Sequence, residues 1–339
     1  MRILIAGLGA IGQRHARNLR ALRGDGVELL AYRRRGLRHV VTESLARDDS
    51  RDVETALGVK SFDDLGVALA TKPDGVFVCT PTSQHLEIAL RAAGSGCHLF
   101  IEKPVSSTLD GVEALVATVA RHRLVALVGC QWRFHPCVRS LRAQLAAGTL
   151  GALRSAEIDY AEYLPDWHPY EDYRQSYAAR AELGGGVVLT HIHDYDLAWW
   201  LFGPPASVRA TGGHLSELEI DVEDTVDAML ETRAGPVRVR QTFAGRTPRR
   251  AITVRGERGT ATVDLIAARL SFSPPELAPE ELYEEYQRNE LFLTEAEHFL
   301  SCIEGRAAPA IPLSDGVAVL KVALGVKQAM QSGGVVKFS

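Results

Sequence analysis

The segment "GGGVVLTHIHDYDLAWWLFG", residues 184–203, sets His191, His193, Asp194 and Asp196 in an apolar run behind three glycines. Imidazoles and carboxylates are costly to bury without partners. Three readings fit these types: metal ligation, proton transfer, or polar residues on the wet side of a helix. An imidazole ionises close to neutral pH, so it can take a proton from a hydroxyl as hydride leaves carbon. A His-x-His pair for a metal would need both rings on one side. On a helix, residues two apart point about 200° from each other. The chain holds no further cluster with metal-ligand spacing, so no metal is expected.

A second chemical signature opens the chain. "RILIAGLG" reads as a buried strand, and "GLGAIGQRHARNLRAL" continues it through a turn into an amphipathic helix. Gly7, Gly9, Ala10, Ile11 and Gly12 form a GxGxxG loop. Gly7 suits the tight turn, Gly9 admits a pyrophosphate to the backbone, and Gly12 lets helix and strand pack closely. The helix N-terminus offers N–H donors and a positive dipole end to phosphates. After the second strand, "VELLAY", an NAD site would carry an acidic residue for the ribose 2′-hydroxyl. Arg33, Arg34 and Arg35 stand there instead. Guanidinium groups suit a 2′-phosphate, so the expected cofactor is NADP rather than NAD. A solvated basic loop is the alternative.

Elements that could position these residues follow in alternation. "GVFVCTP", "HLEIALRAAGSG" and "CHLFIEKP" read as strand, helix and strand. Such βαβ alternation implies a doubly wound parallel sheet, whose ligands lie at the carboxyl ends of the strands. Cys79, Thr80, Pro81 and His85 of "CTPTSQH", with Glu102 and Lys103 of "EKP", are therefore expected near the cofactor. The pattern changes past residue 123. Six segments between 153 and 265 read as neighbouring strands joined by turns, which indicates a mostly antiparallel sheet. Helices are expected at about 137–147, 187–202, 283–304 and 315–331. The fold class is α/β: a Rossmann domain over 1–123, then an α+β domain over 124–339 with a large open sheet. The last helix is a candidate to pack back on the first domain.

Composition agrees with a globular two-domain chain. It has 339 residues, 46% hydrophobic and 24% charged, with net charge −4. No basic field points to nucleic acid or a membrane surface. The five cysteines include no CxxC pair, and "MRILIAGLGAIG" is too short and glycine-rich for a signal peptide or a membrane span. A cytoplasmic protein is expected.

The motifs "GLGAIG", "CTPTSQH", "FIEKP", "QWRFHP" and the glycine run with its H-x-x-D helix resemble, in order and spacing, the Gfo/Idh/MocA oxidoreductases. The likeness spans essentially the whole chain. It implies NAD(P) binding and hydride transfer to or from a sugar, nucleotide sugar or cyclitol. Lys103 matches the family's active-site lysine, and His193 the histidine behind the glycine run. Thr190 stands where the family often has an Asp, so a Lys–Asp–His trio is not intact. In this chemistry the imidazole takes the hydroxyl proton, and the ammonium stabilises the developing alkoxide.

Further residues are candidates for the substrate. "YLPDWHPYEDYR", residues 163–174, joins a strand to the glycine run and resembles a subgroup tied to bacterial carbohydrate biosynthesis. Its Tyr163, His168 and Arg174 could meet hydroxyls, a carboxylate or a diphosphate. Arg133 and His135 of "QWRFHP" could face the same cleft, as could Thr190 and Asp194. A homodimer or homotetramer through the open sheet face is expected. A non-catalytic NADP-binding sensor of the same fold is the alternative, but it would need neither Lys103 nor His193.

Overall fold

The computed structural model describes every residue except Arg35, Leu37 and Ser339. The expectation placed on Arg35 therefore lies outside the described residues. Six strands form the first sheet: β1 (Arg2–Ala6), β2 (Glu28–Tyr32), β3 (Val59–Phe62), β4 (Gly75–Val78), β5 (His98–Glu102) and β6 (Ala126–Gly129). Their order is β3-β2-β1-β4-β5-β6, and every pairing is parallel. This is the doubly wound order whose reversal between β1 and β4 opens a crevice for a dinucleotide.

Alternation along these strands explains why both faces are dry. Leu4, Leu30, Val76, Val78, Leu99, Ile101 and Val128 face one hydrophobic cluster. Ile3, Ile5, Leu29, Phe77, Phe100 and Leu127 face another. Parallel strands covered on both sides read as continuous apolar runs, as these do.

The second sheet has nine strands: β7 (Leu153–Tyr163), β8 (Pro205–Gly213), β9 (Thr225–Thr232), β10 (Pro236–Thr242), β11 (Ala244–Gly256), β12 (Thr260–Asp264), β13 (Arg269–Ser273), β14 (Glu281–Leu282) and β15 (Val336–Lys337). The order is β14-β13-β12-β11-β7-β10-β9-β8-β15. Only β7–β10 is parallel; the other pairings are antiparallel. Inward residues such as Ile158, Val239, Ile252 and Val263 join one core with the helices His193–Phe202 and Leu313–Ser332. The opposite face is a lattice of ion pairs. Arg238 meets Asp227, and Arg240 meets Glu157 and Asp159. That face is polar rather than an apolar patch.

Three expectations are corrected here. Strand β6 completes the first sheet, so the chain leaves that sheet after Gly129 and not near 123. The helix expected at 283–304 runs Asn289–Ile303 and covers the first sheet: Phe299 stands edge-on to Phe77 and Phe100 at 5.3 and 5.6 Å. Residues assigned to the second domain thus seal the core of the first. The last helix also reaches back, since a Cβ on Gly316 would lie 2.9 Å from Val105. Finally, the helix expected over 187–202 is broken into Val187–Thr190 and His193–Phe202.

All five cysteines are buried and free. Among the described residues no helix is long and apolar enough to cross a membrane.

Candidate active site

The glycine loop has the geometry a dinucleotide needs. Gly7 adopts φ +102°, a region that disfavours side chains. A Cβ on Gly12 would overlap the Gly7 carbonyl oxygen, while one on Gly9 would meet nothing within 4 Å. The turn is therefore tight on its protein side and open on its outer side. Ala10 and Ile11 begin the helix Ala10–Arg23, whose first turn has neither an acidic residue nor a capping side chain. Its free N–H groups suit a pyrophosphate.

At the end of β2 the arginines divide. Arg33 is largely buried, and its guanidinium pairs with Glu54 at 3.0 Å. Arg34 is exposed and forms no hydrogen bond or ion pair among the described residues.

The ends of β4 and β5 bring Cys79, Thr80, Pro81, Glu102 and Lys103 toward the same crevice. His85 ties them together: its ring nitrogens lie 2.7 Å from the carbonyl oxygens of Thr80 and Pro104. Glu102 is turned inward and meets His15 Nε2 at 2.7 Å, so its carboxylate braces the first helix. Cys79 is buried and its thiol is pushed well up by that burial, which makes it inert.

Lys103 reaches across the domain seam and donates from Nζ to the Thr190 carbonyl at 2.8 Å. Gly184 permits this approach. It adopts φ +78°, and a Cβ there would lie 2.9 Å from the Cβ atoms of Thr82 and Ser107. Lys103 is anchored by main chain, so the Thr190 side chain does not decide the contact. Thr190 is buried with its hydroxyl unpartnered. It is not placed to hold substrate, contrary to expectation.

The break at His191–Ile192 turns both histidines inward. His191 stacks on Tyr160 at 3.5 Å between ring centroids, and its Nδ1 accepts from Arg250 at 3.1 Å. That acceptance fixes a neutral ring with its proton on Nε2. His193 opens the next helix. Its Nδ1 is sealed without a partner, which leaves Nε2 as the nitrogen a substrate hydroxyl can meet. Burial, then the charges of Lys103, Arg250 and Arg288, hold its pKa well below the ordinary 6.5. The helix N-terminus acts in the same direction.

His193 therefore remains a neutral acceptor as pH falls below 6.5. The acid limb of the kcat/KM profile for alcohol oxidation is expected below that value. An acid limb at or above 6.5 would mean that another group takes the proton.

Several expected substrate residues are otherwise engaged. Arg133 is buried and clamps Asp196 from Nε and Nη2 at 2.6–3.1 Å, with Asp315 on Nη1 at 2.9 Å. Its charge serves the fold. His135 is sealed beside Trp132 and Tyr286, and burial lowers its pKa to about 4. Asp194 accepts from Gln241 at 2.8 Å and is shut from the cleft, so burial raises its carboxyl to about 6. Arg174 is exposed and pairs with Asp172 and Glu219 at 2.9 Å. Within the loop 163–174, the residue that reaches the site is Trp167, 5.1 Å from His191 between ring centroids. His168 stacks behind it and pairs with Glu171. Tyr163 lies under Arg246 at 3.6 Å.

Sequence reasoning missed Arg250, Tyr160, Gln241 and Arg288. The first three had a signal. Strand alternation puts Arg250 on the face of Ile252 and Val254, Tyr160 on that of Ile158, and Gln241 on that of Val239. A polar residue at an inward position calls for a function or a partner.

One further buried acid lies between the domains. Glu295 is fully buried, and neither carboxyl oxygen has a partner. Burial, with Glu102 and Asp196 nearby, pushes its pKa well above 4.5, so the folded protein holds it protonated. The unfolded chain ionises first, so this group costs stability as pH rises above 4.5. Glu295→Gln is expected to stabilise the protein increasingly with pH, by up to about 1.4 kcal/mol per unit. A pH-independent difference in denaturation midpoint would contradict this.

The fold and this constellation define a dinucleotide-binding oxidoreductase. Two family models match the chain: "Oxidoreductase family, NAD-binding Rossmann fold" over residues 1–130, and "GFO/IDH/MocA C-terminal domain" over 138–262. The protein belongs to the GFO/IDH/MocA oxidoreductase family and is an NAD(P)-dependent dehydrogenase or reductase. It is 27% identical to the myo-inositol 2-dehydrogenase of Thermotoga maritima, over 99% of this chain and 98% of that one. Among solved structures it resembles UDP-N-acetylglucosamine 3-dehydrogenase GnnA from Acidithiobacillus ferrooxidans, with 25% identity, 98% of each chain covered and TM-score 0.76. The WlbA dehydrogenase from Bordetella pertussis, solved with NADH and UDP-GlcNAcA, shares the fold: TM-score 0.82, 22% identity, 100% and 99% coverage.

Proposed function

We propose that this protein transfers a hydride between NADP and a secondary alcohol or ketone of a sugar, nucleotide sugar or cyclitol. The observation that carries this reading is Lys103, at the carboxyl end of β5, held on the Thr190 carbonyl across the seam with its charge bearing on the buried His193. A sensor of the same fold would need no neutral acceptor beside a fixed ammonium. The bound nicotinamide would take or give the hydride. Nε2 of His193 takes the hydroxyl proton in the oxidation direction and returns it in reduction. Lys103, fixed by the Thr190 carbonyl, presents its ammonium to the oxygen where negative charge grows. Trp167, half-buried beside His191, offers a flat apolar face, as a sugar ring requires. The relatives' names support the substrate class, since they act on inositols and on a nucleotide sugar.

The preference for NADP rests on Arg34, because Glu54 already holds Arg33. Arg34→Asp is expected to weaken NADP by roughly 1.5–3 kcal/mol and to leave NAD nearly unchanged. Titration of both dinucleotides checks this. Wild-type kcat/KM equal or better with NAD would end the preference. Assembly into a homodimer or homotetramer through the open sheet would join polar, ion-paired faces. Arg240→Glu should then dissociate it, as read by light scattering.

A further inference from the structure

The cleft beside His193 holds two guanidinium groups that the reaction above does not use. Arg250 is 6% exposed and lies between the rings of Trp132 and Tyr160, 4.6 and 4.7 Å from their centroids. Its Nη2 is spent on His191, while its Nη1 is buried without a partner. Arg288 sits just before the helix Asn289–Ile303 and forms no hydrogen bond or ion pair among the described residues. It is open to solvent, yet Arg250, Glu162, Tyr160 and Tyr286 stand around it. That is the condition of a side chain lining an open cleft. Both arginines bear on His193, as does Lys103.

A buried guanidinium with an unpartnered edge is costly, and a second guanidinium beside it repels it. Local carboxylates offset this only in part. Glu162 bears on Arg288 and Asp194 on Arg250, but neither forms an ion pair with them: Glu162 accepts from the Tyr160 hydroxyl at 3.0 Å and Asp194 from Gln241 at 2.8 Å. A third member, Asp196, belongs to Arg133. The cleft is therefore built with an excess of positive charge at its reacting end, which an arriving anion would neutralise.

We propose that Arg250 and Arg288 form an anion subsite that selects a sugar acid, holding its carboxylate while the ring's hydroxyl meets Lys103 and His193. The inference rests on the hydride-transfer reading and names the substrate class within it. A carboxylate matches the flat free edge of a stacked guanidinium. Attached directly to the ring, it lies close to the reacting carbon. A diphosphate is carried further out, beyond the anomeric oxygen. This subsite takes over the anion-gripping role expected of Arg174, whose charge is spent on Asp172 and Glu219.

The test uses four probes with the dinucleotide present: glucuronate, glucose, UDP-glucuronate and UDP-glucose. Calorimetric affinity and turnover are read for wild type, Arg288→Gln and Arg250→Lys. The expected result is at least about tenfold tighter binding of each acid than of its neutral partner. Arg288→Gln, at an open position, should abolish that preference and leave the neutral sugars unchanged. Arg250→Lys keeps the charge but loses the stacked fork, and should weaken the acids alone. Equal affinity for acids and neutral sugars overturns the proposal. So does equal weakening of UDP-glucose and UDP-glucuronate by Arg288→Gln, which would make the diphosphate the anion. Selective binding of the acids upholds the subsite even if no probe is turned over; it is then the hydride-transfer reading that fails.

Discussion

Lys103→Met is expected to lower turnover by roughly 100- to 1000-fold with dinucleotide affinity intact. The side chain reaches from the end of β5 to the Thr190 carbonyl, so its ammonium is held beside His193 before substrate arrives. Methionine keeps the length and removes the charge. An oxygen that becomes an alkoxide then loses its fixed cation, and the barrier rises by what that cation supplied. His193→Asn should cost a similar factor by removing the proton acceptor. In the proposed reaction the two residues serve one oxygen, so the double variant should fall well short of the product of the single losses. Fully multiplicative losses would mean that they act at separate steps.

The largest expected effect on stability belongs to Arg133→Met. Arg133 and Asp196 are 3% and 2% exposed, and the pair shares Asp315 at its rim. Removing the guanidinium leaves Asp196 buried and unpaired, which costs roughly 3–5 kcal/mol. Burial already raises that carboxyl, and Arg133 opposes the rise. The variant Arg133→Met/Asp196→Leu should recover most of the loss, because an apolar pair of similar volume carries no desolvation cost. Denaturant unfolding followed by tryptophan fluorescence reads this directly, since Trp132, Trp199 and Trp200 lie on the elements that carry the pair. A loss below about 0.5 kcal/mol for the single variant would show that Asp196 finds another partner.

These two cases also mark what could be read without coordinates. The places of Lys103 and His193 in the fold were legible because each sits on a motif whose neighbours fix it: a strand end before proline, and a helix start after glycines. The glycine loop was legible for the same reason, since its spacing follows from the shape of a phosphate-binding turn. Arg133 was not. Its segment pointed to the cleft, but its role depends on Asp196 and Asp315, which are distant in sequence and carry no local signal. Arg174 misled in the same way, because a surface arginine finds whichever carboxylate is near.

The domain boundary failed by a single strand. β6 follows a helix and a short turn, and only its pairing with β5 shows that it closes the first sheet. The return of Asn289–Ile303 onto that sheet was equally invisible, since an apolar helix face does not say which core it covers. By contrast, Arg250 was available to a stricter reading. A period of two along "RRAITVRG" places it inward with Ile252 and Val254.

The central claim is hydride transfer at the seam between Lys103 and His193. Its most direct test is the near-ultraviolet absorbance of reduced nicotinamide, followed as the protein is given NADP or NAD with a panel of sugars, sugar acids, nucleotide sugars and cyclitols. The account predicts that at least one member produces reduced dinucleotide in step with its own oxidation, and that Lys103→Met suppresses the signal while still binding the dinucleotide. Dinucleotide binding without reduction by any member, and without oxidation of the reduced form by the matching ketones, would contradict it.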